Sequence, residues 1–306
     1  MSDDYKEYIL KNRAEFIKLT DKQNVELARL YIEAAGEIKE RAKYIVNKDG
    51  LTYAQAKIRI NSLLKEAARL SNNFEKLLDK SLIDASDLSV EVNKLIMADY
   101  QASLASEGIK VNMGRILQKV SGEAVSYMYN RIYTDGLKLS ERIWLLETRT
   151  KNEIERIIMQ NVISGGSASD KAVISALENL LNPAYTPTKL TSLHGRRVGY
   201  EASRLLRTST AEAFNEGQRL SNAKNPGIHG ETWLTAPGCC DICDEKNGKD
   251  VKDVGYPIEH PNCRCTTLSV VESVDAFTDR YLAFMDNPAS DRQLGNWLLN
   301  VYKKAA

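Results

Sequence analysis

The spacing of apolar residues predicts long helices in the first part of the chain. Between residues 27 and 45 apolar positions recur at steps of three and four, with charged side chains between them, as in a helix with one buried face. These positions are Leu27, Tyr31, Ala34, Ile38, Ala42 and Ile45.

Asn47-Lys48-Asp49-Gly50 is typical of a turn. Thr52 then precedes Gln55 by three residues, a capping-box pattern that predicts the start of a second helix. The apolar residues of that helix are Ile58, Leu63, Leu64, Ala67 and Leu70.

The distribution of proline supports the same interpretation. All seven prolines lie at or after Pro183, so the first 182 residues lack the strongest helix breaker. Further helices are predicted at 73–83, 87–106, 112–133, 140–164 and 196–222. Ser140 is predicted to cap one of them, and Tyr127, Tyr129 and Tyr133 are interpreted as core or half-buried residues. No alternating strand pattern occurs before about residue 180.

All five cysteines lie between Cys239 and Cys265, and their spacing is typical of a metal site. A CxxC pair is followed by an HxxC pair and one more cysteine, and a tetrahedral zinc ion takes four such nitrogen or sulfur ligands. Loop signals at Asn247-Gly248 and Gly255-Tyr256-Pro257 lie between the pairs and favour bringing them together. The candidate ligands are Cys240, Cys243, His260, Cys263 and Cys265. Spacing favours the first two with Cys263 and leaves His260 and Cys265 as alternatives for the fourth position, while Cys239 is surplus.

Other interpretations of the cysteines are less favourable. Disulfides are disfavoured because the acidic start of the chain has no signal-peptide pattern, which predicts production in a reducing cytoplasm. A redox CxxC motif usually opens a helix in a βαβ unit, and no such pattern is present. A catalytic zinc keeps one coordination position open, whereas five candidate ligands predict a closed, structural site with one ion. Since nucleotide-binding, P-loop and hydrolase motifs are also absent, the sequence predicts that the protein is not an enzyme.

These features together predict a mainly α fold. We expect an α-helical region at 1–182, built as a long-helix bundle or array, and a linker at 183–195 where Pro and Gly cluster. A small α+β zinc-binding module is predicted within 196–272, and a helical tail at 273–306 that packs back on the bundle rather than serving as a docking tail.

The charge of the chain limits the classes of partner. Lys and Arg total 42 and Asp and Glu total 41, a formal net charge of +1, which excludes a strongly basic nucleic-acid coat protein. The helix at 196–222 is locally basic, and a solvated face with ion pairs explains its arginines about as well as a nucleic-acid contact. No run approaches 18 apolar residues, so no membrane-spanning helix is predicted.

On the basis of these motifs, the chain resembles the Mu F-like head morphogenesis family, the minor head proteins of tailed bacteriophages. The matching residues are Arg207-Thr208, Asn215, Trp233, Cys240 with Cys243, Asn247-Gly248 and His260-Pro-Asn-Cys-Arg-Cys265. The stretch Leu139–Trp144, followed by Gly165-Gly166-Ser167, is similar to the preceding helical region of the family. The resemblance covers about residues 139–270. One departure is Ser209, where the family often carries Glu.

The resemblance implies a low-copy virion protein of the phage head that associates with the portal vertex during capsid assembly. It identifies 196–272 as the head-morphogenesis domain. The implied partners are the portal protein first, then a scaffold or major capsid protein and DNA, and the implied locations are the virion and the host cytoplasm during assembly. Some relatives leave the head with the DNA, which adds a role in DNA packaging or delivery as an expectation.

Two other functions compete with this expectation. A zinc-module nucleic-acid-binding protein is favoured by the basic helix and disfavoured by the near-zero net charge. A metal-dependent hydrolase is disfavoured by the closed ligand set and by the absence of a poised base.

Overall fold

The computed structural model describes residues 3–46, 52–163, 170–182, 198–258 and 260–305. It is mainly helical with one small two-stranded sheet, which confirms the predicted fold class. The long helices are α1 (Asp3–Val46), α2 (Tyr53–Ser106), α3 (Val120–Asn130), α4 (Leu139–Ile163), α5 (Asp170–Leu181) and α6 (Val198–Lys224). The C-terminal elements are β1 (Ile228–Leu234), α7 (Asp241–Asp244), α8 (Val251–Val254), β2 (Thr266–Val271), α9 (Val274–Asp286) and α10 (Arg292–Trp297), then a π-helical turn Leu298–Tyr302 and a last α-helical turn Lys303–Ala305.

Helix α2 begins at the predicted capping box. The Thr52 N–H donates to Gln55 Oε1 at 3.2 Å, and the Gln55 N–H donates to Thr52 Oγ1 at 3.4 Å. The predicted separate helices at 73–83 and 87–106 are wrong, because α2 runs through both without a Gly or Pro. It ends at Ser106, and Gly108, with a φ of 80°, lets the Ile109 N–H bond back to the Leu104 carbonyl at 2.9 Å.

The next two helices differ from prediction at their N-terminal ends. Helix α3 starts eight residues later than the predicted 112, since residues 114–119 form turns. Helix α4 starts at Leu139, and the Glu141 carboxylate accepts the Lys138 N–H at 2.7 Å. Ser140 therefore lies inside the first turn and is not the cap that the sequence predicted.

The chain groups into two compact units. Unit 1 comprises Met1–Thr20, Ser81–Met128 and Thr208–Ala306, and unit 2 comprises Asp21–Lys80 and Tyr129–Arg207. The predicted domain borders at 182, 195 and 272 stay a prediction. The linker at 183–195, the turn at 47–50 and Gly165-Gly166-Ser167 lie outside the described residues.

Unit 2 buries the predicted apolar face of α1. Five of the six predicted positions are buried, namely Leu27, Tyr31, Ile38, Ala42 and Ile45. On α2 the prediction is less accurate, because Ile58 is 71% exposed and Ala56 and Ile60 are buried instead. Tyr133 is buried as predicted, with the guanidinium of Arg142 3.8 Å from its ring centroid.

Unit 1 places the C-terminal helices in its core, as predicted. Phe277 of α9 stacks on Tyr100 of α2 with ring centroids 4.0 Å apart. Trp297 of α10 donates from its indole N–H to the carbonyl of Lys224 at 2.8 Å. The side chain of Arg280 binds Glu272 at 2.8 Å and Asp291 at 2.7 Å, which fixes α9 against the strand end and the start of α10.

The sheet of unit 1 is an antiparallel pair that encloses the cysteine-containing segment. Strands β1 and β2 pair with Trp233 opposite Thr267 and Leu234 opposite Thr266, with a bulge between Ile228 and Gly230. Residues 235–265 therefore connect the two strands at one end of the sheet. Among the described residues, no helix combines the length and apolarity needed to cross a membrane.

Candidate metal centre

The first pair of candidate ligands lies on a single helical turn. Helix α7 starts directly after Cys240, whose carbonyl accepts the N–H groups of Cys243 and Asp244 at 3.0 Å each. This tight turn brings two side chains that are three residues apart to one side of the backbone. Cys243 is fully buried, whereas Cys240 is exposed.

The second pair is positioned by an unusual backbone conformation. Asn262 has a φ of 68°, a left-handed conformation that Asn adopts more readily than most residues. The Cys263 N–H donates to the His260 carbonyl at 3.2 Å across this turn. As on α7, the turn places two side chains three residues apart on the same side.

The structure brings all five predicted ligands together around Cys243. The His260 Nε2 lies 3.1 Å from Cys240 Sγ and 3.3 Å from Cys243 Sγ. On the other side, Cys263 Sγ lies 3.7 Å from Cys243 Sγ, and Cys265 completes a second group. The two groups of three share Cys243, and within each group the ligand atoms lie within 4.8 Å of one another. Cys239 belongs to neither group, in agreement with its interpretation as surplus.

One of these distances matches the edge of a tetrahedral metal site. With metal–sulfur bonds of about 2.3 Å, two thiolates on one tetrahedral ion lie about 3.8 Å apart. The 3.7 Å between Cys243 and Cys263 agrees with this edge. Sulfur and imidazole nitrogen are ligands for borderline or soft ions, whereas Mg²⁺ and Ca²⁺ take oxygen ligands. The cluster could therefore hold a transition-metal ion.

The imidazole of His260 is oriented by its other nitrogen. Its Nδ1 lies 2.9 Å from the carbonyl of Pro261, which can only accept a hydrogen bond. A proton on Nδ1 leaves the lone pair of Nε2 directed at the two cysteine sulfurs. Metal-binding histidines commonly have such a partner on the second ring nitrogen.

The pKa values of the cysteine thiols are shifted in two opposite directions by their surroundings. The backbone N–H of Cys243 lowers the pKa of the Cys240 thiol, and His260 acts in the same direction. Burial raises the pKa of Cys243 to about 12, and a hydrogen bond with Cys263, together with burial, raises the pKa of Cys265. Ionisation of Cys243 and Cys265 is therefore unfavourable unless a cation compensates the charge, as a bound metal does.

Helix α6 holds the second half of the centre through three polar side chains. The Asn262 N–H donates to Thr208 Oγ1 at 3.0 Å, and the Asn215 amide donates to the Cys265 carbonyl at 3.0 Å. The Gln218 amide donates to the Thr267 carbonyl at 3.1 Å. Thr208 and Asn215 lie among the motif residues of the sequence, whereas Gln218 was missed. Its only signal is its position three residues after Asn215, where the two side chains are neighbours on the helix surface.

The centre has a small apolar core of its own. Trp233 packs with Ala236 and with the buried cysteines 243, 263 and 265, and Ile258 packs at its edge. The ammonium of Lys246 lies 5.0 Å from the centroid of the Trp233 ring. The metal ligands and the tryptophan therefore form one cluster at the end of the sheet.

The arginines that the sequence associated with a basic helix have partners where the structure describes them. Arg219 binds Glu216 at 2.6 Å, and Arg204 lies 5.9 Å from the ring centroid of Tyr200. Arg196 and Arg197 lie outside the described residues. Arg219 thus forms an ion pair, as the solvated-face interpretation expects, and the nucleic-acid interpretation stays a prediction.

No protein-family model matches this chain, and neither a curated protein nor a solved structure is significantly similar to it.

Proposed function

We propose that this protein is a minor head protein of a tailed bacteriophage, of the Mu F-like kind, stabilised by one structural zinc ion. The observation that carries the proposal is the convergence of five cysteine and histidine ligands in two groups of three that share Cys243. The same residues carry the sequence resemblance. The chemistry of the centre and the resemblance therefore support each other.

Zinc is the ion that suits this ligand set best. Cysteine and histidine at the spacing of two short pairs are typical of structural zinc sites with closed tetrahedral coordination. The ion would be held by Cys240, Cys243, His260 and Cys263, and would supply folding energy on the order of 10 kcal/mol to a loop with a small core. Cys265 accepts the Ala236 N–H at 3.5 Å and would stabilise the neighbouring ligands from the next layer.

In this function the protein takes part in assembly of the phage head and does not act as an enzyme. The long helices offer surfaces for helix packing against a portal protein, with a scaffold or major capsid protein and DNA as further candidate partners. The locations proposed are the virion, at the portal vertex or inside the head, and the host cytoplasm during assembly. A role in DNA packaging or delivery follows from the same resemblance.

Elemental analysis tests the metal. We expect about one zinc per chain in freshly reduced protein, and loss of that zinc in both Cys240→Ser and Cys263→Ser. The matched control is Cys239→Ser, a neighbouring thiol outside both ligand groups, which should keep its zinc. Wild-type protein without any transition metal would contradict the zinc site.

Co-expression with the portal protein of the same phage tests the assembly role. We expect the two proteins to co-purify after nuclease treatment, since protein contacts hold them together. Binding that disappears with nuclease, together with a steep decrease of DNA affinity with salt, would instead favour the nucleic-acid-binding function. Absence of both interactions would contradict the head-protein proposal.

A further inference from the structure

The segment between the two ligand pairs is bound to strand β1 by its backbone. The Trp233 N–H donates to the Lys249 carbonyl, and the Gly248 N–H donates to the Trp233 carbonyl, at 2.8 Å each. Because the other edge of β1 pairs with β2, these residues lie along the remaining edge of the strand. The segment is therefore already attached to the sheet ahead of the second ligand pair.

Tyr256 provides a further attachment, four residues before His260. Its hydroxyl donates to the carboxylate of Glu231 on β1 at 2.6 Å, within the short range of hydrogen bonds to carboxylates. Between Tyr256 and His260, Ile258 packs against the apolar core of the metal centre. The side chains of Tyr256 and Ile258 are therefore the contacts that direct the chain toward the second ligand pair.

The carboxylate of Glu231 is itself held by two other elements. Its Oε1 accepts from the Asn222 amide of α6 at 2.7 Å and from the Thr267 hydroxyl of β2 at 3.0 Å. The amide oxygen of Asn222 in turn accepts from the Asn93 amide of α2 at 2.7 Å. All four side chains belong to buried residues, and a buried network with its hydrogen bonds made is rigid. Tyr256 thus binds to an acceptor whose position is set by the helices and the sheet.

A fixed acceptor matters because the loop between the ligand pairs is long. His260 follows Cys243 by 17 residues. An unattached segment of this length loses conformational entropy when an ion brings its two ends together. Contacts that order the loop before the ion arrives remove part of that cost from binding and so raise the affinity.

We propose that the contact between Tyr256 and Glu231 preorganises the ligand loop and raises the affinity of the centre for its metal ion. This inference rests on the proposed metal site and adds two positioning residues to it, neither of which belongs to a ligand group. Both act through the backbone of the loop. Sequence spacing assigned Tyr256 only to a loop and did not single out Glu231.

The test measures zinc affinity and amide exchange in the full-length chain. Zinc affinity is measured by competition with a chromophoric chelator for the wild type, Tyr256→Phe, Glu231→Gln and the double variant. Tyr127→Phe is the matched control, since it removes the same hydroxyl from a tyrosine that is 43% exposed, against 42% for Tyr256. Hydrogen–deuterium exchange of peptides that contain Cys263 is compared in the metal-free and zinc-loaded proteins, and circular dichroism shows that each variant is folded.

We expect Tyr256→Phe to weaken zinc binding by about tenfold, because the loop must then be ordered during binding. Exchange around Cys263 should increase in the metal-free variant and change little once zinc is bound. Glu231→Gln keeps a hydrogen-bonding side chain and should lose less affinity. In the double variant the two effects should not add, since both residues act through one contact. Tyr127→Phe should bind zinc as the wild type does.

Two results would overturn the inference while leaving the metal site intact. In the first, the wild type binds zinc and Tyr256→Phe binds it equally tightly, which would assign the contact a structural role alone. In the second, exchange around Cys263 in the metal-free protein is the same in Tyr256→Phe and the wild type, so the contact does not order the loop. A wild-type protein that binds no zinc would instead contradict the proposed function itself, and this inference with it.

Discussion

The side-chain amide of Asn215 donates a 3.0 Å hydrogen bond to the backbone carbonyl of Cys265, fifty residues further along the chain. The same amide nitrogen lies 2.9 Å from the Ala211 carbonyl one turn earlier on α6. A single buried side chain thus ties the helix to the end of the ligand loop. The geometry of the metal centre depends on this helix as well as on the loop that carries the ligands.

We expect Asn215→Ala to lower the free energy of unfolding by about 1–3 kcal/mol, because it leaves the buried Cys265 carbonyl without its donor. Urea unfolding with and without zinc measures the change. Asn179→Ala is the matched control, since Asn179 is an exposed helical asparagine bonded only to Ser175 at 3.4 Å. Equal effects of the two substitutions would contradict an anchoring role for Asn215.

The identity of the fourth ligand can be tested by comparing His260→Ala with Cys265→Ser. We expect His260→Ala to reduce zinc affinity by more than the roughly 10–100-fold of an outer-shell change, because its Nε2 lies between two cysteine sulfurs. Cys265→Ser should keep one metal ion. Cobalt substitution measures this, since the intensity of the sulfur-to-cobalt absorption reports the number of thiolates. The opposite pattern would make Cys265 the ligand.

The Arg280–Asp291 pair should make unit 1 sensitive to acid. Burial raises the pKa of Asp291, but the bonds from the Leu294 N–H and from Arg280 outweigh it, and the folded pKa lies below the ordinary 3.8. The stabilisation is therefore present above this ordinary value and is lost as pH falls through the lower folded value.

Asp291→Asn keeps an acceptor for the helix cap but removes the charge that Arg280 binds. We expect a loss of about 1.5–3 kcal/mol at pH 7, measured by chemical denaturation, and a smaller difference from wild type below about pH 4. A difference that is constant between pH 7 and pH 3 would show that the ion pair contributes nothing.

Removing the aromatic stack should be the most destabilising single change among these. Phe16→Ala deletes a fully buried ring next to Phe214 and should cost about 3–5 kcal/mol by urea unfolding. Tyr8→Ala, at a site 45% exposed on the same helix, should stay within about 0.5 kcal/mol of wild type. Similar losses at the two sites would indicate general disruption of α1 instead of loss of packing.

The local features of the fold could be predicted because local spacing determines them. The buried face of α1 and the capping box at Thr52 depend on residues within two turns of one another. The predicted break between 83 and 87 failed for a reason of tertiary structure. Ser86 and Ser89 are small enough for α6 to approach closely at Gly217, where a Cβ would collide with Ser89. Small polar residues that are typical of a helix end serve here as a packing surface inside the helix.

The metal centre also combines features that local spacing predicts with contacts that depend on tertiary structure. The CxxC and HxxC pairs each fold through one short turn, and spacing alone was enough to predict their convergence. Gln218 and Arg13 bond to the carbonyls of Thr267 and Thr235 from helices that precede these residues in the chain. No sequence pattern shows which face of a distant helix will contact the module. Tyr127 illustrates the opposite error, since it was interpreted as core or half-buried and is 43% exposed.

The division of unit 1 among three chain segments sets an order for its folding. Its first segment ends at Thr20 and its last begins at Thr208, whereas both segments of unit 2 lie between them. During synthesis from the N-terminus, unit 2 is complete before the ligands and anchors of unit 1 exist. We therefore expect the first twenty residues, like the parts of α2 and α6 that belong to unit 1, to reach their final packing only after the C-terminal elements have been synthesised.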